Sequence, residues 1–375
     1  MMNKPGKRVI ISGGGTGGHI FPAISIAHAL KRIAPDTEIL FVGAKNRMEM
    51  EKIPAAGYPI IGLDIQGFQR KSLLKNIFLP FKMLKSIYDS ISIIKKFKPD
   101  VAVGVGGYAS GPLLYAAGKM DIPYLIQEQN SYAGITNTYL GKKATRICVA
   151  FKGMDQFFPA QKIKLTGNPI RKESIDITNK GAEALDYFGL SADKKTLLVL
   201  GGSLGSKTLN TCMLIGLDQI TAAGVQLIWQ TGSSYYLSIL HALPGEQPDV
   251  KIVEFLNRMD LAYALADVII SRAGAGTIAE LTVIGKPTIL VPSPNVAEDH
   301  QTKNAMALVD HKAAFLVTDH DAEKKLVRAA LDLIQNTSKC AELSQNLVKM
   351  ALYNADEIIA NEILNIAKDG TRSYS

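Results

Sequence analysis

The chain is poor in cysteine and has no long hydrophobic run. Its three cysteines, Cys148, Cys212 and Cys340, stand far apart and form no CxxC pair. This excludes a disulfide framework and a cysteine-based zinc site. No apolar run approaches the ~18 to 20 residues that span a bilayer, and no signal-peptide pattern opens the sequence. We therefore expect an intracellular protein that meets membranes only at their surface.

Length and charge set further limits. The 375 residues exceed what one hydrophobic core supports, so we expect two domains. The net charge of +8 allows nucleic acid, an anionic membrane surface or phosphorylated substrates as partners. The basic excess is greatest in residues 70–98, where Asp89 is the only acid.

Short runs rich in valine and isoleucine alternate with helix-like stretches in both halves of the chain. The runs are residues 8–12, 38–42, 101–105, 123–127, 146–150, 196–200, 225–230, 251–255, 267–271 and 287–292. Such runs are typical of parallel strands covered on both faces. We predict an α/β fold of two Rossmann-like, doubly wound parallel-sheet domains facing a central cleft.

The break between the domains is predicted at Asn168-Pro169, because proline stops regular structure there. The N-terminal domain then covers residues 1–168 and the C-terminal domain residues 169–353. A last helix within residues 354–375 is expected to pack back on the first domain.

Three glycine-rich turns follow predicted strands: SGGGTGGH (12–19), GGYASGP (106–112) and GGSLGSK (201–207). Glycine lets the backbone approach an anion, and the following helix offers N–H groups to it. The turns thus predict anionic ligands in both halves. The first satisfies GxGxxG, but the second strand ends at Lys45 without the acid of a dinucleotide site, which disfavours NAD(P). The third departs from Walker A at Ser206, which disfavours an ATPase.

A fourth element runs from Ser271 to Pro292. We expect a strand ending at Ser271, a turn at Gly274–Gly276 and a helix with Glu280 in its first turn. The Glu280 carboxylate would either complement the helix dipole or accept hydrogen bonds from a ribose diol.

Seven blocks in one order carry a resemblance to a known family: SGGGTGGH, GVGGYASGP, QEQNSYAGITN, GNPIR, LGGSLGS, SRAGAGTIAE and PNVAEDHQTKNA. They resemble the MurG family of bacterial cell-wall N-acetylglucosaminyltransferases, which belongs to glycosyltransferase family 28 and has the GT-B fold. The resemblance implies UDP-N-acetylglucosamine as donor and lipid I as acceptor. It also implies inversion at the anomeric carbon to give lipid II.

The resemblance further implies a set of donor-binding positions, namely Thr16, Gly17, Gly18, Asn130, Arg171, Ser203, Leu256, Ala275, Gly276, Thr277, Glu280 and Gln301. Asn130 and Gln301 would bind sugar hydroxyls, and Ser203 the diphosphate. Leu256 would lie beside the uracil, and Glu280 would bind the ribose. The chain departs from the family at Gly276, where a larger residue is usual.

An inverting transfer requires a base for the attacking hydroxyl. His19 is the first candidate, because imidazole titrates near ~6.5, and Glu128 is the second. His19 could instead position the substrate by hydrogen bonding alone. Loop N–H groups can stabilise the leaving diphosphate without metal, so we expect no required cofactor, with a divalent cation at most a non-essential stimulant. Asp319-His320-Asp321 spells DxD, but we interpret it as a turn and N-cap before a helix from Ala322.

Residues 71–98 interleave apolar and basic side chains, with Pro80 breaking the stretch. We predict that Leu73 to Leu84 contacts an anionic membrane, through Leu73, Leu74, Lys75, Ile77, Phe78, Phe81 and Lys82. An ordinary amphipathic helix packed on its own sheet is the alternative.

The expected location is the cytoplasmic face of the cell membrane. Partners are the donor, lipid I, the membrane surface and other cell-wall assembly proteins, without nucleic acid. Rival readings are another GT-B enzyme, such as a glycolipid transferase or UDP-sugar epimerase, and a noncatalytic nucleotide-sugar binding protein.

Overall fold

The computed structural model describes residues 6–67, 78–170, 172–243, 245, 247–296 and 299–369. The chain divides into two compact units. Unit 1 comprises Met1–Ile170 and Tyr353–Ser375, and unit 2 comprises Arg171–Leu352.

Unit 1 is built on a seven-stranded parallel sheet. Its elements in chain order are β1 (Arg8–Ser12), α1 (Gly17–Ile33), β2 (Glu38–Ala44), α2 (Glu49–Ala55), β3 (Ile60–Leu63), α3 (Leu79–Phe97), β4 (Val101–Gly104), α4 (Ser110–Lys119), β5 (Tyr124–Glu128), α5 (Ile135–Gly141), β6 (Arg146–Val149) and β7 (Ile163–Leu165). The strand order is β3-β2-β1-β4-β5-β6-β7. The order reverses beside β1, so the ends of β1 and β4 are where such a sheet binds ligands.

Unit 2 repeats the plan with six parallel strands. Its elements are α6 (Lys172–Ile175), α7 (Gly181–Phe188), β8 (Thr196–Leu200), α8 (Lys207–Ala222), β9 (Gln226–Gln230), α9 (Tyr236–Ala242), β10 (Val250–Val253), α10 (Met259–Leu265), β11 (Val268–Ser271), α11 (Ala275–Ile284), β12 (Thr288–Leu290), α12 (His300–Val309), β13 (Phe315–Leu316), α13 (Ala322–Gln335) and α14 (Thr337–Lys349). The order is β10-β9-β8-β11-β12-β13. The prediction of two doubly wound parallel-sheet domains is confirmed.

The central strands are buried on both faces because alternate residues enter different cores. In β1, Val9 and Ile11 pack with α1, whereas Ile10 packs in the cluster on the opposite face. Both clusters consist mainly of aliphatic side chains that are almost fully buried. Burial on both faces explains why the sequences of these strands are uninterrupted apolar runs.

Three short strands, β3, β7 and β13, were not among the predicted runs. They lie at or next to the edges of the two sheets, where fewer side chains are buried. Their weaker apolar pattern follows from that position. Helix α1 also begins three residues earlier than the predicted run at Ile20.

The last helix of the described chain, α15 (Ala355–Asp369), belongs to unit 1. It packs against α1, with Ile359 and Ile363 fully buried in the same core as Val9. Arg32 of α1 pairs with Asp356 at 2.7 Å. Glu362 bridges Arg146 and Lys164 next to the sheet.

The buried face of α15 generates the first prediction. Ile363→Ala removes aliphatic volume from a closed core and should lower the free energy of unfolding by about 2 to 5 kcal/mol. Urea unfolding followed by circular dichroism measures it. Asn361→Ala, on the exposed face of the same helix, is the matched control and should change stability by less than about 0.5 kcal/mol. Equal losses in the two variants would contradict this packing.

Candidate active site

The first glycine-rich turn connects β1 to α1 and is held by two neighbouring loops. The Gly14 N–H donates to Gly106 O at 3.3 Å, and the Gly15 N–H donates to a carboxylate oxygen of Glu49 at 2.9 Å. A Cβ built at Gly107 would lie 2.4 Å from Gly14 O, and Gly107 has φ of +91°. Glycine is therefore required where the two turns meet.

Glu49, which the sequence analysis missed, lies beneath this turn. It is buried and accepts hydrogen bonds from Ala44 N (3.0 Å) and Gly15 N (2.9 Å). A Cβ at Gly14 or at Gly43 would lie within 2.6 Å of the Glu49 side chain. The acid sought at the end of β2 is thus supplied from the start of α2, and it binds the turn itself. A phosphate placed here would find the Gly15 N–H already occupied by a carboxylate.

His19 lies in the first turn of α1. Its Nδ1 is 3.0 Å from Gly14 O and 3.4 Å from Thr16 Oγ1. The other side of the ring lies against Gly106, where a Cβ would come within 2.7 Å of Nε2. Thr16 precedes the helix in extended conformation, and its carbonyl accepts from His19 N and Ile20 N. Thr16, Gly17, Gly18 and His19 therefore form one helix start.

Glu128 ends β5 and is buried. Its carboxylate accepts from Asn137 Nδ2 at 2.8 Å, Asn130 N at 3.1 Å and Gly134 N at 3.4 Å. Burial raises the pKa of this carboxyl, although these hydrogen bonds oppose the shift. Through these bonds Glu128 stabilises the conformation of residues 130–137, which include Asn130, the predicted sugar-binding residue.

In unit 2, the guanidinium group of Arg272 stabilises the turn that follows β8. Ser206 caps α8, its Oγ accepting from Leu209 N. Arg272, which follows β11, donates to Ser206 Oγ at 3.0 Å, to Val291 O at 3.0 Å and to the Asp319 carboxylate. Arg272 therefore ties together three loops at the carboxyl ends of the strands. Sequence reasoning missed it because its partners are distant in the chain.

The DxD string has another structural use. Asp319 also accepts from Thr208 Oγ1 at 3.0 Å, so it joins the Arg272 cluster. Asp321 does occupy the N-cap position of α13, but its side chain makes no cap hydrogen bond and pairs with Lys325 instead. The predicted turn and N-cap before a helix from Ala322 are confirmed, with the Asp321 carboxylate in an ion pair rather than bonded to the helix N–H groups. Over the described residues, no group of three or more His, Cys, Asp or Glu is placed to hold a metal ion.

Helix α11 starts at Ala275, so Ala275, Gly276 and Thr277 form its first turn. The first N–H groups of an α-helix have no acceptor within the helix itself, and a helix start carries partial positive charge that favours anions. Glu280 lies in the second turn and accepts from Tyr263 OH at 3.0 Å. The prediction that Glu280 lies in the first turn of the helix is wrong, because the helix starts at Ala275. In the second turn, the Glu280 carboxylate is too far from the helix start to complement the helix dipole.

Gln301 lies in the first turn of α12. Its Oε1 accepts from Ala273 N at 3.2 Å and Ser293 N at 2.9 Å, which fixes the orientation of the amide. Its Nε2 donates to no group that the described residues contain, and it is half-buried. Such a donor suits a sugar hydroxyl.

The remaining predicted donor positions are spread over the same turns. Ser203 is exposed at the tip of the turn after β8, and its carbonyl accepts from Ser233 N at 3.1 Å. Leu256 is buried after β10. Arg171 lies outside the described residues.

Part of the predicted membrane segment is described. Pro80 lies in the first turn of α3, so it starts this helix. Phe78, Phe81, Leu84 and Tyr88 are each about two-thirds exposed or more. Lys82 pairs with Asp64 at 3.1 Å.

The predicted contacts Leu73, Leu74, Lys75 and Ile77 lie outside the described residues. Within the described part of the chain, no helix is long and apolar enough to span a bilayer.

Two family models match the chain. Residues 9–149 match the glycosyltransferase family 28 N-terminal domain, and residues 196–359 match the C-terminal domain of the same family. The matches together cover most of both units.

Curated relatives match nearly the full length. A Bacteroides fragilis protein is 53% identical over 373 residues, covering 98% of each chain, and a Parabacteroides distasonis protein is 54% identical over 360 residues, covering 96% of this chain and 98% of the relative. Both are named UDP-N-acetylglucosamine--N-acetylmuramyl-(pentapeptide) pyrophosphoryl-undecaprenol N-acetylglucosamine transferase. The crystal structure of Acinetobacter baumannii MurG is similar with a TM-score of 0.77 and 29% identity, over 96% of this chain and 99% of that one.

The Arg272 cluster generates the second prediction. Asp319→Asn removes the charge that pairs with Arg272 and should lower the free energy of unfolding of unit 2 by about 1.5 to 3 kcal/mol. Asp332→Asn is the matched control, because Asp332 pairs with Arg328 at 3.9 Å on the open surface. That change should cost less than about 1 kcal/mol. Thermal unfolding measures both, and equal effects would contradict the role of Arg272.

Proposed function

The chain belongs to glycosyltransferase family 28, and we propose that it transfers N-acetylglucosamine from UDP-N-acetylglucosamine to the muramoyl 4-hydroxyl of lipid I. The product is lipid II, a precursor in peptidoglycan biosynthesis. The observation that carries this proposal is the 53% identity, over 98% of both chains, to a relative named for that transfer. At that identity and coverage, a different UDP-sugar enzyme or a noncatalytic binding protein is the weaker account.

We place the donor on unit 2. The N–H groups of Ala275, Gly276 and Thr277 suit a diphosphate, because a helix start carries partial positive charge. Ser203 adds a hydroxyl at the tip of the neighbouring turn. The Glu280 carboxylate can accept hydrogen bonds from a ribose diol. Leu256 offers an apolar contact for the uracil, and the Gln301 amide can donate to a sugar hydroxyl. Arg171 completes the proposed donor set.

We place the base on unit 1. As the muramoyl hydroxyl attacks the anomeric carbon, its proton passes to His19, and the bond from that carbon to the diphosphate oxygen breaks. The electron pair leaves with UDP, whose added charge the helix start of α11 stabilises. Attack opposite the leaving group inverts the anomeric centre. Thr16, Gly17, Gly18 and Asn130 line the same end of the unit 1 sheet and are assigned to the transferred sugar.

We propose that the protein works at the cytoplasmic face of the cell membrane, held there peripherally. The proposed acceptor is lipid-linked, and the exposed side chains of Phe78, Phe81 and Leu84 lie at the start of α3. Lys75 and Lys82 would add attraction to anionic lipid. Other cell-wall assembly proteins are further candidate partners.

Transfer of labelled N-acetylglucosamine to a lipid I analogue tests the proposal. UDP-glucose in place of the donor, and a reaction without acceptor, are the controls. A labelled disaccharide lipid formed only in the complete reaction is expected. Tight UDP binding without transfer to this acceptor would overturn the assignment of lipid I.

The third prediction concerns His19. His19→Gln removes the base and should lower kcat by about 10²- to 10⁴-fold, with the Kd for UDP changed less than about twofold. Steady-state kinetics and calorimetry measure the two quantities. His28→Gln, on the exposed face of the same helix, is the control and should leave both near the original values. If kcat and the affinity for UDP fell by the same factor, His19 would not be the base.

The fourth prediction concerns the membrane. Phe81→Ser with Leu84→Ser removes two exposed apolar side chains whose partial burial in lipid contributes about 2 to 4 kcal/mol, so partitioning into vesicles should fall roughly 30-fold or more. Sedimentation with vesicles containing phosphatidylglycerol measures it. The control replaces Ile215 and Leu237 of unit 2, which are similarly exposed, by serine. Equal losses in both pairs would argue against α3 as the contact.

A further inference from the structure

One peptide group of unit 1 lies between a buried carboxylate and the proposed base. The peptide joins Gly14 to Gly15. Its N–H donates to Glu49 Oε2 at 2.9 Å, and its carbonyl oxygen is 3.0 Å from His19 Nδ1. Because an amide is planar and its N–H and C=O point in opposite directions, the two bonds extend from opposite ends of one rigid group.

The carbonyl determines the state of the imidazole. A carbonyl oxygen only accepts hydrogen bonds, so His19 Nδ1 must carry the proton in the bond to Gly14 O. In a neutral ring the basic lone pair is then on Nε2. A base that takes a proton through Nε2 requires this tautomer.

The carboxylate acts on the same amide from the other end. Glu49 is almost fully buried, so its charge is little screened by water. A carboxylate that accepts from an amide N–H polarises the amide and makes its carbonyl a stronger acceptor. The bond to Nδ1–H is strengthened, and more so once the ring becomes positively charged.

Neighbouring backbone groups fix the position of the Glu49 carboxylate. Its second oxygen accepts from Ala44 N at 3.0 Å, and Gly14 and Gly43 leave no room for a Cβ beside it. Gly14 N is held in turn by Gly106 O. Neither the carboxylate nor the amide can turn away without breaking several bonds.

The geometry points to Glu49 as a positioning residue that acts through the Gly14–Gly15 peptide to hold His19 as the Nδ1–H tautomer, with Nε2 as the proton acceptor. The inference rests on the proposed function only for the use made of Nε2; the tautomer itself does not depend on it. Glu49 itself touches no substrate in this account.

The tautomer can be measured without any substrate. Two-bond ¹⁵N–¹H correlation spectra of the intact protein above pH 8 distinguish a protonated from an unprotonated ring nitrogen, and His19→Gln identifies the His19 signals. We expect Nδ1 protonated and Nε2 unprotonated. A His19 ring protonated at Nε2 would overturn the proposal, whatever the transfer assay shows.

Glu49→Gln tests the charge. The variant keeps the size of the side chain and one acceptor oxygen but loses the charge, so the Nδ1–H tautomer should lose population. We expect kcat to fall about tenfold to a hundredfold, less than the whole contribution of a base, with KM for the donor changed less than about twofold. A folded variant with unchanged kcat and an unchanged His19 spectrum would overturn the proposal.

Glu51→Gln is the matched control. Glu51 lies in the same helix, is largely exposed and pairs with Lys52 at 2.8 Å. We expect it to keep the original kcat and His19 spectrum, and a loss equal to that of Glu49→Gln would contradict a specific role. Should Glu49→Gln not fold, the spectrum of the unaltered protein still decides the tautomer.

Discussion

The hydrogen bond from the Gly15 N–H to the buried Glu49 carboxylate organises the candidate site of unit 1. It fixes the turn between β1 and α1, and with it the start of α1 and the direction of the Gly14 carbonyl. Glycine at 14 and 43 follows, since a Cβ at either position would meet Glu49. His19 takes its orientation from that carbonyl. One buried charge thus connects the end of β2 to the candidate base.

The two units hold similar turns with different side chains, a buried carboxylate in unit 1 and the Arg272–Asp319 ion pair in unit 2. In unit 1 an acid takes up an N–H of the turn, whereas in unit 2 Arg272 supports the turn through Ser206. A buried carboxylate disfavours a phosphate beside it, whereas an ion pair without net charge does not. This difference supports our placement of the donor diphosphate on unit 2.

Much of the fold could be predicted because the central strands are buried on both faces, which leaves apolar runs such as residues 196–200. β13 could not, since two residues at a sheet edge carry no pattern. The glycine-rich turn pointed to His19 and the family resemblance to Gln301, and the roles of both residues stay predictions. Glu49 and Arg272 were missed because their partners lie far away in sequence, and neither matches a motif spacing. Glu280 was placed in the wrong turn because a helix start is hard to locate within two residues.

An inverting transfer to a lipid-linked muramoyl sugar leaves a β-linked product that can be detected directly. The most direct measurement is the proton NMR spectrum of a reaction that contains UDP-N-acetylglucosamine and a lipid I analogue. Inverting transfer gives a new β-anomeric signal from N-acetylglucosamine linked to the muramoyl 4-oxygen, formed in equal amount with UDP. An α-linked product, or a donor sugar epimerised at carbon 2 with the acceptor unchanged, would contradict it.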